Sequence, residues 1–325
     1  MLFCNPRKLK RNGVLAMNKR NIDYIGRYNA RKHYKLVDDK LSTKQIALDG
    51  NIAAPALIGV IRRQHDIDEI PAMVTGHTGF AIKPAKGSGG KGILVVTKIQ
   101  DGRYYKASGN EVTRKEIKRH ASNILNGLYS LGGIPDVVII EALIRFDPVF
   151  DGYSHEGIPD IRLIVFKGYP VMGMLRLSTH SSDGKANLHQ GAVGVGLDIA
   201  TGRGLHAVQH DTPTVDHPDT GKPLRHIQVP QWERFLSIAA STYEICHLGY
   251  LGADMVLDKE EGPLLLELNA RPGLSIQIAN NQGLLPRLRH IESLKGPRRP
   301  VDERVAYARE HFAAKVQFTD ASESG

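Results

Sequence analysis

The sequence predicts an α+β protein with largely antiparallel sheets. Short apolar runs recur in pairs joined by tight-turn residues, as around Asp101-Gly102 and Lys167-Gly168, which marks hairpins. Longer stretches with helical spacing flank these pairs instead of alternating with single strands, which argues against a chain of βαβ units. The tract Gly252-Ala253-Asp254-Met255-Val256-Leu257-Asp258 is answered soon after by Leu264 to Gly273, so the two read as adjacent strands.

Taken in order, the segment from about Asn18 to Val60 is expected to be helical, its second part ending at Gly50-Asn51 ahead of Ala54-Pro55, a stop signal. Phe80 to Pro84 reads as a strand entering a glycine loop, and Ile93 to Val96 as the strand leaving it. Asp101-Gly102 turns the chain back to Arg103-Tyr104-Tyr105. Thr113 to Tyr129 has helical spacing, and Thr113 with Glu116 fits a capping box. Val137 to Glu141 is a buried strand, followed by a loop rich in Gly, Pro and Asp to Pro159. Ile161 to Phe166 and Val171 to Leu177 form a hairpin through Lys167-Gly168-Tyr169-Pro170. Ala192 to Ile199 and Gly204 to Gln209 pair around Thr201-Gly202. Pro230 to Leu248 is a long helix expected to pack on the last two strands.

At 325 residues the chain has room for one large or two to three small domains. Its 41% hydrophobic and 24% charged residues are those of an ordinary globular protein. No uncharged apolar stretch approaches the roughly 18 residues of a membrane span. Met1 to Lys8 has no apolar run behind its charges, which is not the pattern of a secretory signal; the expectation is a cytoplasmic protein. Of the two cysteines, neither Cys4 nor Cys246 sits in a metal or redox spacing, and Cys246 reads as a small buried apolar residue. The net charge of +9 is concentrated early: Arg7, Lys8, Lys10, Arg11, Lys19, Arg20, Arg27, Arg31, Lys32 and Lys35 face only Asp23. A solvated helix face or tail is the plain explanation, and an anion-facing surface the alternative. With no aromatic-interleaved RNA module and no helix-turn-helix pattern, the composition argues against a nucleic-acid partner.

Three motifs carry chemistry. Asp254, Glu267 and Asn269 stand on the final strand pair as three oxygen donors for a hard cation, and Mg²⁺ suits such a set because it keeps water and substrate phosphates in its other positions. The loop Lys83-Pro84-Ala85-Lys86-Gly87-Ser88-Gly89-Gly90-Lys91-Gly92 lets backbone N–H groups approach an anion closely. It is neither a Walker loop nor the dinucleotide fingerprint, since strand follows where helix is required; a plain structural hairpin is its alternative. Arg162 and Arg176, on consecutive strands, supply permanent charge suited to a phosphoryl group in transfer, although each alone also reads as a surface ion-pair partner. The loop His180 to Gly191 adds Asn187 and His189, while His206, His210, His217 and His226 read as ordinary surface or turn residues.

The order of these motifs resembles the ATP-grasp superfamily, and most closely its alpha-L-glutamate ligase-like branch, over roughly Leu36 to Pro286. The resemblance implies an ATP-grasp fold of two α+β subdomains holding ATP between them, after a short helical N-terminal extension. It implies a division into a basic segment 1–35 (a reduced substrate domain), a small subdomain 36–141 with the glycine loop, a large subdomain 142–295 with the metal site, and a C-terminal helix with a flexible tail, 296–325. It assigns Lys40, in Asp39-Lys40-Leu41-Ser42-Thr43-Lys44, and Lys83 to the nucleotide phosphates, with Ser88, Gly89 and Gly90 in the loop closing over them. Glu141 and Ala142 match the adenine hinge, Asp160 the ribose acid, and Asn187 a residue beside the metals. Arg162 and Arg176 face the phosphates, Arg271 the carboxylate substrate, and Asp254, Glu267 and Asn269 bind Mg²⁺, two ions with Mn²⁺ as a substitute. Two features depart from the pattern: only some 35 residues precede Leu36, and Ala192 follows Gly191 where a second glycine is usual.

The implied activity is an ATP-dependent carboxylate–amine ligase that forms an amide through an acylphosphate and releases ADP and phosphate, for example adding glutamate to an acceptor. Its partners would be a carboxylate and an amine, carried by small molecules or a peptide, with a second copy of the chain completing the acceptor site. His189 is the candidate general base, weighed against an ordinary loop histidine. The alternatives are an ATP-grasp kinase acting on an alcohol or sugar, and an ATP-binding regulatory or assembly module without turnover.

Overall fold

The structure, a computed structural model, describes residues 5–87, 89–155 and 157–314. Contacts group the chain into two discontinuous units, one of Asp38–Gln45 and Ala54–Arg145, the other of Met1–Val37, Ile46–Ala53 and Phe146–Gly325. The N-terminal segment falls within the larger unit.

In the smaller unit, β1 (Leu57–Ile61), β2 (Phe80–Pro84), β3 (Leu94–Val96), β4 (Lys98–Gln100), β5 (Arg103–Tyr105), β6 (Glu111–Val112) and β7 (Val138–Ala142) form two sheets. One runs β1-β7-β2-β3 and the other β4-β5-β6, every pairing antiparallel. The Asp101-Gly102 turn has both residues at positive φ, 50° and 71°, the twist a two-residue hairpin requires. Thr113 caps the helix Arg114–Leu125 in a reciprocal capping box with Glu116. That helix stops short of the expected Tyr129 because Gly127 turns to φ +79°, where a Cβ would lie 2.4 Å from the Ile134 carbonyl oxygen. Its inner face, Ile117, Ala121 and Ile124, joins Ile61, Phe80, Ile82, Val138 and Ile140 in one core.

Strand β1 corrects the expectation of helix as far as Val60. The helix Lys40–Asp49 ends at the expected signal, with Asn51 at φ 54°. The β-branched run that follows Pro55 instead pairs with β7, burying Ile61. That partner lies far along the chain, so no local window of sequence reveals it.

The larger unit is built on one antiparallel sheet of β8 (Asp160–Phe166), β9 (Tyr169–Leu177), β10 (Val193–Leu197), β11 (Gly204–Gln209), β12 (Thr212–Pro213), β13 (Tyr250–Asp258) and β14 (Gly262–Asn269). Its order is β12-β11-β10-β9-β8-β13-β14. The β8–β9 turn is tighter than expected: Lys167 and Gly168 alone form it, at φ 50° and 82°, and Tyr169 and Pro170 already belong to β9. Only glycine fits at 168, since a Cβ would fall 1.5 Å from the Arg304 guanidinium. The helix Trp232–Cys246 packs on β8, β9, β13 and β14 through Phe235, Leu236, Ala239 and Ala240. Cys246 is fully buried as expected, and burial pushes its thiol up to about 12. Cys4 and the tail 315–325 lie outside the described residues. Among the described residues no helix is long and apolar enough to cross a membrane.

The basic N-terminal segment is packed in part. Tyr24 and Ile25 are buried, and Tyr24 and Tyr28 meet Phe166 edge-on at 5.5 and 4.9 Å.

Candidate functional site

In the smaller unit, paired strands β7 and β2 set Glu141 opposite Ala81 and Lys83 opposite Ile139, so Glu141 and Lys83 meet diagonally on one face, two residues out of register. Lys83 Nζ lies 2.6 Å from Glu141 Oε2, and Lys44 Nζ lies 2.9 Å from Oε1. The three side chains are 11%, 4% and 5% exposed, so one carboxylate offsets two ammonium groups in a dry setting. Burial lowers the Lys44 pKa, against the pull of Glu141. Lys44 also donates to the Pro55 carbonyl. Its role escaped the sequence reading although it stands in the same motif as Lys40, one helical turn on.

Lys40 Nζ donates to the Gly87 carbonyl at 2.7 Å, which ties the first turn of its helix to the glycine loop. Asp39 Oδ1 accepts from the Ser42 N–H at 2.9 Å, an N-cap arrangement. The loop is held at its root by Asp136, another residue the sequence reading did not single out: both its oxygens accept from the Lys86 N–H, at 3.1 and 2.9 Å, and Oδ2 accepts from Ser130 Oγ at 2.7 Å. Gly89 and Gly90 adopt φ 62° and 74° with open space where a Cβ would stand. Ser88 lies outside the described residues. At the expected hinge the Glu141 carboxylate is occupied by the lysines, and the Ala142 N–H donates to the Ala56 carbonyl at 2.9 Å.

The larger unit carries a second charged group, set by strand register. Asp160 of β8 stands opposite Arg176 of β9, and Arg162 of β8 opposite Asp254 of β13, which in turn stands opposite Glu267 of β14. Because side chains on a strand alternate, these five residues and Asn269, two beyond Glu267, share one face. Arg162 donates from Nε to Asp254 Oδ1 at 2.7 Å and from Nη2 to Oδ2 at 2.5 Å. Arg176 donates to both oxygens of Asp160, from Nη2 at 2.6 Å, and reaches Asp254 Oδ2 at 2.9 Å. The two arginines are therefore ion-paired but not on the surface, at 14% and 12% exposure.

These contacts set the protonation of the row. Burial alone would raise the Asp254 carboxyl, but Arg162 and Arg176 outweigh it and hold it well below the usual carboxylate range. For Asp160 burial wins over the pull of Arg176, and its pKa is raised to about 6. Asp160, Asp254 and Glu267 oppose two guanidinium groups, leaving excess negative charge, and Asn269 adds a neutral oxygen. Oxygen donors of this kind suit a hard cation that retains water and phosphate ligands, with Glu267 and Asn269 the partly exposed members and both Asp254 oxygens already accepting from the arginines. Among the described residues no cluster of three or more His, Cys, Asp or Glu is arranged to hold a metal.

The remaining residues fall nearby or apart. Arg271 is exposed, with its guanidinium 4.9 Å from the centre of the Tyr34 ring, and its N–H donates to Asn269 Oδ1 at 2.8 Å. Asn187 accepts from the His189 N–H at 3.0 Å and opens the short turn Leu188–Gln190; His189 itself is exposed. His217 departs from the expectation of a surface histidine: it is 1% exposed, its ring accepts from the Asp219 N–H, and burial lowers its pKa.

Among solved structures, the chain is similar to the ATP-grasp ligase PsnB complexed with minimal precursor, at 13% identity and TM-score 0.44, covering 86% of this chain and 62% of that one. It is similar to D-alanyl-alanine synthetase A from Vibrio cholerae, at 11% identity and TM-score 0.46, covering 86% and 66%. It is also similar to a RiPP-associated ATP-grasp ligase from Chryseobacterium gregarium in complex with ADP and a leader and core peptide, at 15% identity and TM-score 0.45, covering 83% and 64%. The chain thus spans under two thirds of the length of each. No curated protein matches the sequence. Residues 19–293 match the family described as sugar-transfer associated ATP-grasp, a group other than the alpha-L-glutamate ligase-like branch that the motif order resembles. With that match spanning most of its length, the chain has the ATP-grasp fold and belongs to the sugar-transfer associated ATP-grasp family.

Proposed function

We propose that the protein is an ATP-dependent carboxylate–amine ligase. The observation that carries this reading is the buried row Arg176–Asp160 and Arg162–Asp254, with Glu267 and Asn269 at matched register on the same face. Two guanidinium groups already fixed by carboxylates need little reorganisation to meet charge developing on a phosphoryl group. Mg²⁺ held by Asp254, Glu267 and Asn269, as one or two ions and replaceable by Mn²⁺, would neutralise phosphate charge when bound.

Lys40 and Lys83 are assigned to the nucleotide phosphates, Glu141 fixing Lys83 and Gly87 fixing Lys40. Gly89 and Gly90 are assigned to offer backbone N–H groups to the same anions, and Ser88, outside the described residues, is assigned with them. Ala142 and Glu141 are assigned to the adenine end, Asp160 to the ribose, and Asn187 to the neighbourhood of the metals. A carboxylate oxygen of the acid attacks the γ-phosphorus and ADP leaves; the amine nitrogen then attacks the acyl carbon, phosphate leaves, and His189 Nε2 is the candidate acceptor of the amine proton. The family description favours an acid or amine borne on a saccharide, with an amino acid such as glutamate as the other half.

The test is incubation with ATP and Mg²⁺ across a panel pairing uronic and amino acids with amino acids and amino sugars, read by ADP, free phosphate and product mass. An amide product with stoichiometric free phosphate supports the reading. A phosphorylated alcohol without free phosphate makes the protein a kinase, and nucleotide binding without turnover makes it a regulatory module; either ends the ligase assignment.

A further inference from the structure

The three residues that follow Asn269 are each held by a different residue of the basic N-terminal segment. The Ala270 carbonyl accepts from Asn29 Nδ2 at 3.2 Å. The Arg271 guanidinium lies over the face of Tyr34 at 4.9 Å, and the Pro272 carbonyl accepts from Arg20 Nη1 at 2.8 Å. Asn29, only 3% exposed, also grips the start of β13, its Nδ2 donating to the Tyr250 carbonyl at 2.6 Å and its Oδ1 accepting from the Tyr250 N–H at 2.9 Å. One buried amide therefore joins the neighbouring ends of the two strands that carry Asp254, Glu267 and Asn269. A segment that was only a solvated tail would have no reason to bury an asparagine against these backbone groups, since an amide is buried favourably only where its hydrogen bonds are met.

The clamp acts on one side chain in particular. Arg271 has an exposed guanidinium on a long flexible stem, and its backbone is fixed by Asn269 on one side and by the Arg20–Pro272 contact on the other. The aromatic face selects one direction for that stem. A guanidinium so oriented presents a planar fork of N–H groups, which matches a carboxylate in bidentate fashion. We infer that Arg20, Asn29 and Tyr34 are positioning residues that aim Arg271 at the carboxylate of the acid substrate, so that the N-terminal segment is a working part of the acid site. The inference rests on the ligase reading above, and it concerns the orientation of Arg271, a property that can be measured apart from turnover.

The experiment compares Tyr34→Phe, which keeps the ring, with Tyr34→Ala, which removes it, together with Arg20→Gln. For whichever uronic or amino acid of the panel drives ADP release, KM for that acid, KM for ATP and kcat are measured. Tyr34→Ala is expected to raise KM for the acid about fourfold, the scale of a cation–π contact at an exposed site, while kcat and KM for ATP change less than about twofold. Tyr34→Phe is expected to match wild type. Equal impairment in both Tyr34 variants, or an unchanged KM for the acid in Tyr34→Ala, overturns the inference. Hydrogen exchange at the Arg271 and Gly273 amides is read in parallel. If no acid of the panel drives ADP release by wild type, the ligase reading is what fails, and the clamp is then decided by exchange: acceleration in Tyr34→Ala and Arg20→Gln but not in Tyr34→Phe upholds it, and unchanged protection overturns it.

Discussion

Asp254 and Glu267 stand directly opposite each other on β13 and β14, yet their surroundings differ. Asp254 is 1% exposed and held by two arginines, whereas Glu267 is only partly buried. Asp254 is thus the anchor of the row and Glu267 its more accessible member.

Asp254→Asn leaves Arg162 and Arg176 beside a neutral partner in a buried setting. Removing one member of a buried ion pair costs about 3–5 kcal/mol, so urea unfolding should show a loss on that scale. Glu267→Gln, at a more accessible position, should cost under about 1 kcal/mol while still abolishing substrate-dependent ADP release. A fully active Glu267→Gln enzyme would remove that residue from the proposed cation site.

Asp160 makes stability depend on pH in an unusual direction. Its folded-state pKa, about 6, lies above the ordinary 3.8, so the folded chain holds an extra proton between about pH 4 and 6. That contribution is fully present below pH 4 and is lost as pH rises past 6. Asp254 has the opposite sign: its lowered pKa supports the fold above about pH 4 and the support fades below. Relative to wild type, Asp160→Asn should therefore gain up to about 3 kcal/mol between pH 4 and 7, at about 1.4 kcal/mol per unit. Denaturant titrations of both proteins at several pH values without nucleotide check this, and a constant difference would contradict it.

Glu141→Gln strips two lysines of their shared counter-charge. A loss of about 3 kcal/mol is expected, and adding Lys44→Met should recover much of it by removing the buried ammonium. The pH signature is also directional. Lys44 already has a lowered folded pKa, so stability rises as pH climbs from that value toward about 10.4, the ordinary lysine range. Without Glu141 the depression deepens and the rise should begin at lower pH in thermal melts.

Two glycines of the same loop should respond differently to alanine. Gly89 has open space at its Cβ position, so Gly89→Ala meets only the left-handed backbone cost of about 1–2 kcal/mol. At Gly92 a Cβ would stand 2.5 Å from Tyr129 Cγ, so Gly92→Ala must displace the ring or the loop. Calorimetry with Mg-ATP should show weaker nucleotide binding for Gly92→Ala than for Gly89→Ala; equal affinities would mean that the Gly92–Tyr129 packing does not shape the loop.

Local signals were legible wherever one residue type has one physical solution. The reciprocal Thr113–Glu116 cap, the Asp101-Gly102 turn and the apolar pair ending in Glu267-x-Asn269 all stand as read. Leu57–Ile61 was misread because its partner β7 is remote in sequence. Lys44 and Asp136 were passed over because a buried lysine and a loop-rooting aspartate have the same local appearance as solvated ones.

The sequence by itself determined the hairpin-rich α+β order and the types of charge on each strand, because period, turn chemistry and capping are properties of near neighbours. Only the tertiary structure decided which charges meet: that Arg162 and Arg176 share Asp254, that Glu141 serves two lysines, and that Asn29, Tyr34 and Arg20 grip residues 270–272. The reason is physical. Strand register and burial bring together groups that are tens to hundreds of residues apart, and the energy of an ion pair or a buried amide depends on that surrounding, not on the residues that precede and follow it.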